Sequence, residues 1–217
     1  MKALVLGATG ATGKDLTKLL LEDESFSEVH VCVRKPLNIE NLKLKTHIVN
    51  FENFEEWENL ILGDVAFSCM GTTLKAAGSK EAQRKVDFDF QLNFAKAAKK
   101  NAVKNYVLVS AYGANAKSKI FYSQMKGELE NAIKNLNFEK TTIFQPGMLD
   151  RKGSERLGEV VGLKLLKFVN KIGLFKSQKP LPTEILAKAM VNAAKIKSNG
   201  FSKIKLAAIF NFAAKNN

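Results

Sequence analysis

The 217-residue sequence predicts an α/β protein, a doubly wound parallel sheet with helices on both faces. Two observations carry that prediction. Strand-like apolar runs alternate with helix-like segments from one end to the other. The first run, Ala3-Leu4-Val5-Leu6, breaks at once into Gly7-Ala8-Thr9-Gly10-Ala11-Thr12-Gly13 and then an amphipathic helix pattern.

Taken in order, the first strand lies near Lys2–Leu6 and a helix near Thr12–Asp23. Val29–Val33 reads as the second strand, Thr46–Val49 as the third, and Phe54–Leu60 as a short helical connection. Asp64–Met70 is the fourth strand. Lys80–Asn101 carries Val86, Phe90, Phe94, Ala97 and Ala98 at helical spacing and reads as one long helix. Tyr106–Val109 is the fifth strand, Ser118–Leu136 the next helix, and Lys140–Phe144 the sixth strand. Beyond Pro146 the pattern changes: residues 155–176 are lysine-rich and amphipathic. A loop with Pro180 and Pro182 then leads to a helix near Thr183–Lys195. Lys203–Leu206 is a last strand and Ala207–Ala214 a last short helix. No internal repeat or low-complexity linker interrupts the chain, so residues 1–217 are expected to form one domain, with residues 150–182 as a lid or small substrate lobe.

The glycine turn is the strongest chemical signal. Gly7 permits a tight turn, Gly10 removes a side chain that would meet a phosphate, and Gly13 lets the helix pack on the strand. Thr9, Ala11 and Thr12 complete a turn whose helix N-terminus offers N–H groups to an anion. This predicts a dinucleotide site of the Rossmann type.

In such a sheet, ligands lie at the carboxyl ends of the strands. The second strand ends in Arg34 and Lys35, where an acidic residue would favour the ribose 2′-hydroxyl of NAD. A guanidinium suits a 2′-phosphate, so NADP(H) is the preferred cofactor and NAD(H) the second choice. Asn50 and Phe51, ending the third strand, fall beside the adenine. Cys69, Met70, Gly71 and Thr72, ending the fourth, offer small residues and backbone to the cofactor. Tyr122 and Lys126 share one helix face at a spacing of four. A nearby ammonium favours the phenolate and fits a tyrosine for proton transfer to a carbonyl or alcohol oxygen. Ser110, at the end of the fifth strand, is placed to hydrogen-bond the same oxygen, and Tyr112 reads as a wall residue.

These motifs, with Leu108-Val109-Ser110-Ala111-Tyr112-Gly113-Ala114, Gly127-Glu128 and Gln145-Pro146-Gly147, resemble the atypical branch of the short-chain dehydrogenase/reductase superfamily. Within it, the likeness is to NmrA-like NAD(P)H-binding proteins related to the Tat-interacting oxidoreductase. The resemblance spans roughly the first 150 residues. It implies that Tyr122 is the acid/base, that Lys126 also holds the nicotinamide ribose, and that Pro146 and Gly147 line the nicotinamide. Ala111 and Gln145 depart from the pattern, standing where relatives often carry serine and arginine.

The remaining features bound the partners. Net charge is +13, nearly all of it in residues 111–217, which suits an anionic substrate, an acidic partner or a membrane surface. No nucleic-acid motif accompanies it. Lys164, Lys167, Lys171 and Lys176 give residues 155–176 the character of a helix that could lie on an anionic membrane. A substrate-lobe helix is the preferred reading. Cys32 and Cys69 are expected as buried free thiols. His30 and His47 form no metal constellation, and no metal is expected. With no leader and no membrane span recognised, a cytoplasmic protein is expected. Two functions follow. One is an NADPH-dependent reductase of a small carbonyl compound, which could act as a homo-oligomer. The other is a cofactor-binding regulator or assembly protein without turnover.

Overall fold

The computed structural model describes residues 1–150 and 180–215. The expected lid, apart from its two ends, and the basic stretch 155–176 lie outside the described residues. The main sheet has seven strands, all parallel: β1 (Lys2–Leu6), β2 (Glu28–Val33), β3 (Leu44–Ile48), β4 (Val65–Ser68), β5 (Asn105–Val109), β6 (Lys140–Gln145) and β9 (Gly200–Lys205). Their order is β3-β2-β1-β4-β5-β6-β9, so the chain reverses direction across the sheet between β1 and β4. A separate two-stranded ladder pairs β7 (Leu149–Asp150) with β8 (Leu181–Pro182).

Central strands of a parallel sheet are covered on both faces and therefore read as continuous apolar runs. One face carries Ala3, Val5, Val29, Val31, Val65 and Phe67 and packs under α1 (Ala11–Glu22), α6 (Thr183–Lys195) and α7 (Ala207–Ala213). The other carries Leu4, Leu6, Cys32, Ala66, Tyr106 and Leu108 and packs under α4 (Phe90–Lys100) and α5 (Phe121–Asn135). Helices α1 and α6 run side by side, pinned at one end by Thr183 Oγ1 donating to Asp15 (2.6 Å) and at the other by the Lys195–Asp23 ion pair (3.0 Å). The Lys140 ammonium, largely buried on β6, donates to the carbonyls of Ala193 and Ile196, where it closes the negative end of α6.

Several boundaries move from their sequence positions. β3 begins two residues early and β9 three, because both are edge strands with exposed side chains and weak apolar patterning. A short helix, α2 (Leu74–Ala77), follows β4, with its N-terminus capped by Thr73. The expected long helix is divided into α3 (Lys80–Arg84), a wider π turn at Lys85–Asp89, and α4. The wide turn shifts the helical phase. Val86 and Phe90 are partly buried and border a cleft, and Gln83, Asp87 and Gln91 are turned inward.

At the edge of the sheet, His30 Nδ1 lies 3.0 Å from His47 Nε2, and the other nitrogen of His30 meets Glu28 at 2.8 Å. Burial, and then the proximity of His30, hold His47 below the usual histidine value. The unfolded chain therefore binds the extra proton first as pH falls, so this contribution to stability is complete above about pH 6.5 and is lost below it. His47→Gln should flatten that dependence. Urea midpoints at about pH 7.5 and about pH 5 should fall further apart for the parent protein than for the variant; equal differences would refute the assignment.

Candidate active site

The reversal point brings two strand ends into backbone contact. Gly7 has φ +90°, and a Cβ there would lie 2.5 Å from the Met70 nitrogen. A Cβ on Gly13 would lie 2.0 Å from the Gly7 carbonyl oxygen. Gly13→Ala tests this packing. Helix propensity favours alanine by about 1 kcal/mol, but the Gly7 backbone directly after β1 is itself packed against the backbone of Cys69 and Met70 and has little room to yield to that overlap. A net loss of about 2–4 kcal/mol is expected in urea unfolding. A gain would mean that the turn is not packed as described. Gly10 caps α1 with extended backbone, and the first helical bond runs from Lys14 N–H to the Gly10 carbonyl (2.8 Å). The N–H groups of Ala11, Thr12 and Gly13 therefore precede the helical ladder.

In front of this turn lies a cleft of about 590 Å³. Gly7, Thr9 and Gly10 form its floor, and Arg34, Asn50 and Phe51 one end. Cys69, Met70, Gly71 and Thr72 form its opposite wall. Lys85 and Glu52, joined as an ion pair, stand at its border. Arg34 is exposed and forms no ion pair among the described residues, whereas Lys35 is exposed and does not line the cleft. Cys69 Sγ donates to the Leu6 carbonyl (3.2 Å), and burial pushes its thiol up to about 12, so it stays protonated at neutral pH. Thr12 and Gly13 lie buried behind the turn. A second depression of about 650 Å³ is lined by four glutamates, Glu52, Glu55, Glu56 and Glu58, against two lysines, Lys96 and Lys100, of which Lys100 is paired with Glu58.

Tyr122, Lys126 and Glu130 follow one another at successive turns of α5. The loop after β5 is laced to this helix: Ser123 Oγ donates to the Gly113 carbonyl, and Asn115 N–H to the Ser123 carbonyl (2.9 Å). The loop approaches so closely that a Cβ on Gly127 would lie 2.1 Å from the Ala116 nitrogen. The β5 and β6 ends are joined by Tyr112 N–H donating to the Pro146 carbonyl (2.8 Å), and Gly147 packs against Leu206. Tyr112 is half exposed. The Tyr122 side chain is 39% exposed, its hydroxyl makes no hydrogen bond among the described residues, and the Lys126 ammonium lies 6.0 Å from its ring centre.

Two residues that sequence reasoning missed complete the arrangement. Asp87 and Lys126, 1% and 2% exposed, form an ion pair at 3.0 Å. The other Asp87 oxygen accepts the Thr72 N–H (2.8 Å). Glu130, equally buried, accepts hydrogen bonds from Ser110 (2.5 Å) and Gln145 (2.6 Å) and pairs with Lys203 (2.6 Å). The Ser110 proton is thus committed to Glu130, leaving the hydroxyl's lone pairs for any further partner. The available signal was a spacing of four: Gln83, Asp87 and Gln91 along the stretch that forms α3, the π turn and α4, and Tyr122, Lys126 and Glu130 on α5.

The strand-end cleft, its glycine floor and its cationic end fit a dinucleotide. A family model described as NAD(P)H-binding matches residues 7–171. The chain belongs to this NAD(P)H-binding family. Protein FMP52-1, mitochondrial, of Scheffersomyces stipitis is 35% identical over 201 residues, covering 89% of this chain and 88% of the relative. Protein HTATIP2 of Rattus norvegicus is 36% identical over 194 residues, covering 87% and 78%. Among solved structures, a Thermotoga maritima UDP-glucose 4-epimerase with UDP-glucose superposes with a TM-score of 0.72. Its identity is 15%, over 95% of this chain and 76% of the other. An ElxO variant with NADPH bound gives 0.69 at 15% identity, over 99% of both chains. These two likenesses are of fold.

The relatives also correct one expectation. FMP52 proteins from several yeasts are named mitochondrial, which overturns the cytoplasmic assignment. That assignment rested on finding neither a leader nor a span, and neither property determines the compartment to which a folded domain is delivered. No helix among the described residues is long and apolar enough to cross a membrane.

Proposed function

We propose that this member of the NAD(P)H-binding family is an NADPH-dependent reductase of small carbonyl compounds. The observation that carries the reading is the pairing of Tyr122 with the buried Lys126, whose ammonium is joined through Asp87 to Thr72 on the wall of the strand-end cleft. Gly7, Gly10 and the N-terminus of α1 would hold the pyrophosphate, and Arg34 the 2′-phosphate. Met70 to Thr72 would lie along the cofactor, with Pro146 and Gly147 at the nicotinamide. When bound, the reduced nicotinamide supplies a hydride to the substrate carbon.

Tyr122 supplies the proton to the carbonyl oxygen. Tyr122 is partly exposed and its hydroxyl has no competing internal partner among the described residues, which leaves it free to meet a substrate. Lys126 orients the nicotinamide ribose and lends positive charge to the phenol. Ser110 and Glu130 act as the support behind the pocket, since the serine proton is already donated inward. That commitment favours a second reading, a cofactor-binding regulator in which the pocket no longer polarises a carbonyl. Oxidation of NADPH in the presence of a panel of small aldehydes and ketones separates the two. The reductase reading expects substrate-dependent oxidation by at least one member, and a regulator binds NADPH and oxidises it with none.

A further inference from the structure

The Asp87–Lys126 pair calls for a physical account of its own. Burying two charges costs desolvation that their attraction repays only when geometry and further hydrogen bonds are good, and well-packed apolar residues do as well for stability. Stability alone therefore does not account for this pair. Its placement does. The π turn at Lys85–Asp89 leaves Val86 and Phe90 against the cleft and directs Asp87 toward α5. Gln91 Nε2 donates to the Asp87 carbonyl (2.9 Å), while Gln91 Oε1 accepts from Ser68 on β4 (2.8 Å), fixing the widened turn to the sheet. One carboxylate oxygen of Asp87 holds Lys126 and the other the N–H of Thr72, beside Gly71 on the cleft wall. A Cβ on Gly71 would itself approach that carboxylate to 3.3 Å.

We propose that Asp87 is the positioning residue for Lys126, docking its ammonium against the backbone at the end of β4 so that both meet the dinucleotide together. A lysine stem has many rotamers, and a single buried carboxylate selects one of them. Both Asp87 oxygens are engaged, so its role is exerted through Lys126 and Thr72. This inference rests on the reading that Lys126 meets the nicotinamide ribose.

The test measures binding, without turnover. Each reduced dinucleotide is titrated alongside its adenosine-side fragment, ADP for NADH and 2′,5′-ADP for NADPH, which lack the nicotinamide ribose. Asp87→Asn should weaken the dinucleotide by about tenfold and leave the fragment within about twofold. Lys126→Met should show the same pattern, and the double variant should bind no more weakly than Lys126→Met alone, because the two residues act as one unit. Asp87→Glu leaves no unpaired buried charge but displaces the ammonium, so it too should weaken the dinucleotide and spare the fragment.

Equal losses for dinucleotide and fragment would overturn the proposal, as would losses that multiply in the double variant or a Glu variant with parental affinity. A parent protein that binds dinucleotide no more tightly than fragment would instead overturn the placement of the nicotinamide ribose at Lys126, and the positioning role with it.

Discussion

Tyr122→Phe is expected to reduce NADPH-dependent carbonyl reduction by about 10²–10⁴-fold, the range for loss of a positioned general acid. Reduced-cofactor affinity should stay close to that of the parent. The aromatic ring is retained, so the contact with the Lys126 ammonium, 6.0 Å from the ring centre, survives, and only the hydroxyl is lost. No internal hydrogen bond is broken among the described residues, so the unfolding midpoint should not move. A fall in kcat without a matching rise in the cofactor Kd marks an interaction made in the transition state. Retained turnover would place the proton donor elsewhere, and loss of cofactor binding would make Tyr122 a structural wall.

Arg34→Glu should weaken NADPH binding by about 100-fold while changing NADH affinity far less. Arg34 borders the cleft and is exposed, and it has no internal anionic partner among the described residues. A charge-assisted contact to a phosphate contributes about 1.5–3 kcal/mol, and placing a carboxylate at the same point adds repulsion. Lys35 does not line the cleft and should not rescue the variant. Parallel titrations of the two cofactors decide the matter. Equal losses would mean that Arg34 supports the loop and does not read the 2′-position.

The fold could be read from the chain because its signals are local. Buried parallel strands tend to be apolar, so β1, β2, β4 and β5 stand out by their Val, Leu, Ala and Phe residues, while β6 is marked by Ile143 and Phe144 and buries Lys140, Thr141, Thr142 and Gln145 beside them. The glycine turn has a steric cause that any alternative residue would violate, and Gly7 and Gly13 occupy positions with no room for a Cβ. Edge strands β3 and β9 lacked that constraint, and their boundaries shifted. The π turn could not be read at all, since one added residue in a helical turn leaves no distinctive composition at Lys85–Asp89.

The same division runs through the candidate site. Tyr122 and Lys126 are recognisable together because they share a helix face. Asp87 reaches Lys126 from a separate element, and Glu130, on the same helix, finds its partners Ser110, Gln145 and Lys203 on other elements; a charged residue inside an apolar pattern looks like surface until its partner is located. Ser110 was correctly placed at a strand end, but only the fold revealed that its proton is directed at Glu130. Compartment was the weakest inference, because absence of a recognisable leader carries little information.

The central claim is that hydride leaves the bound cofactor for a carbonyl carbon in this site. Its most direct test uses NADPH deuterated at the transferable C4 position, incubated with the protein and the panel of small aldehydes and ketones, with products analysed by mass spectrometry. The account predicts deuterium on the carbinol carbon of at least one product, and none above background with Tyr122→Phe. Tight NADPH binding with no label transferred to any member of the panel would contradict it.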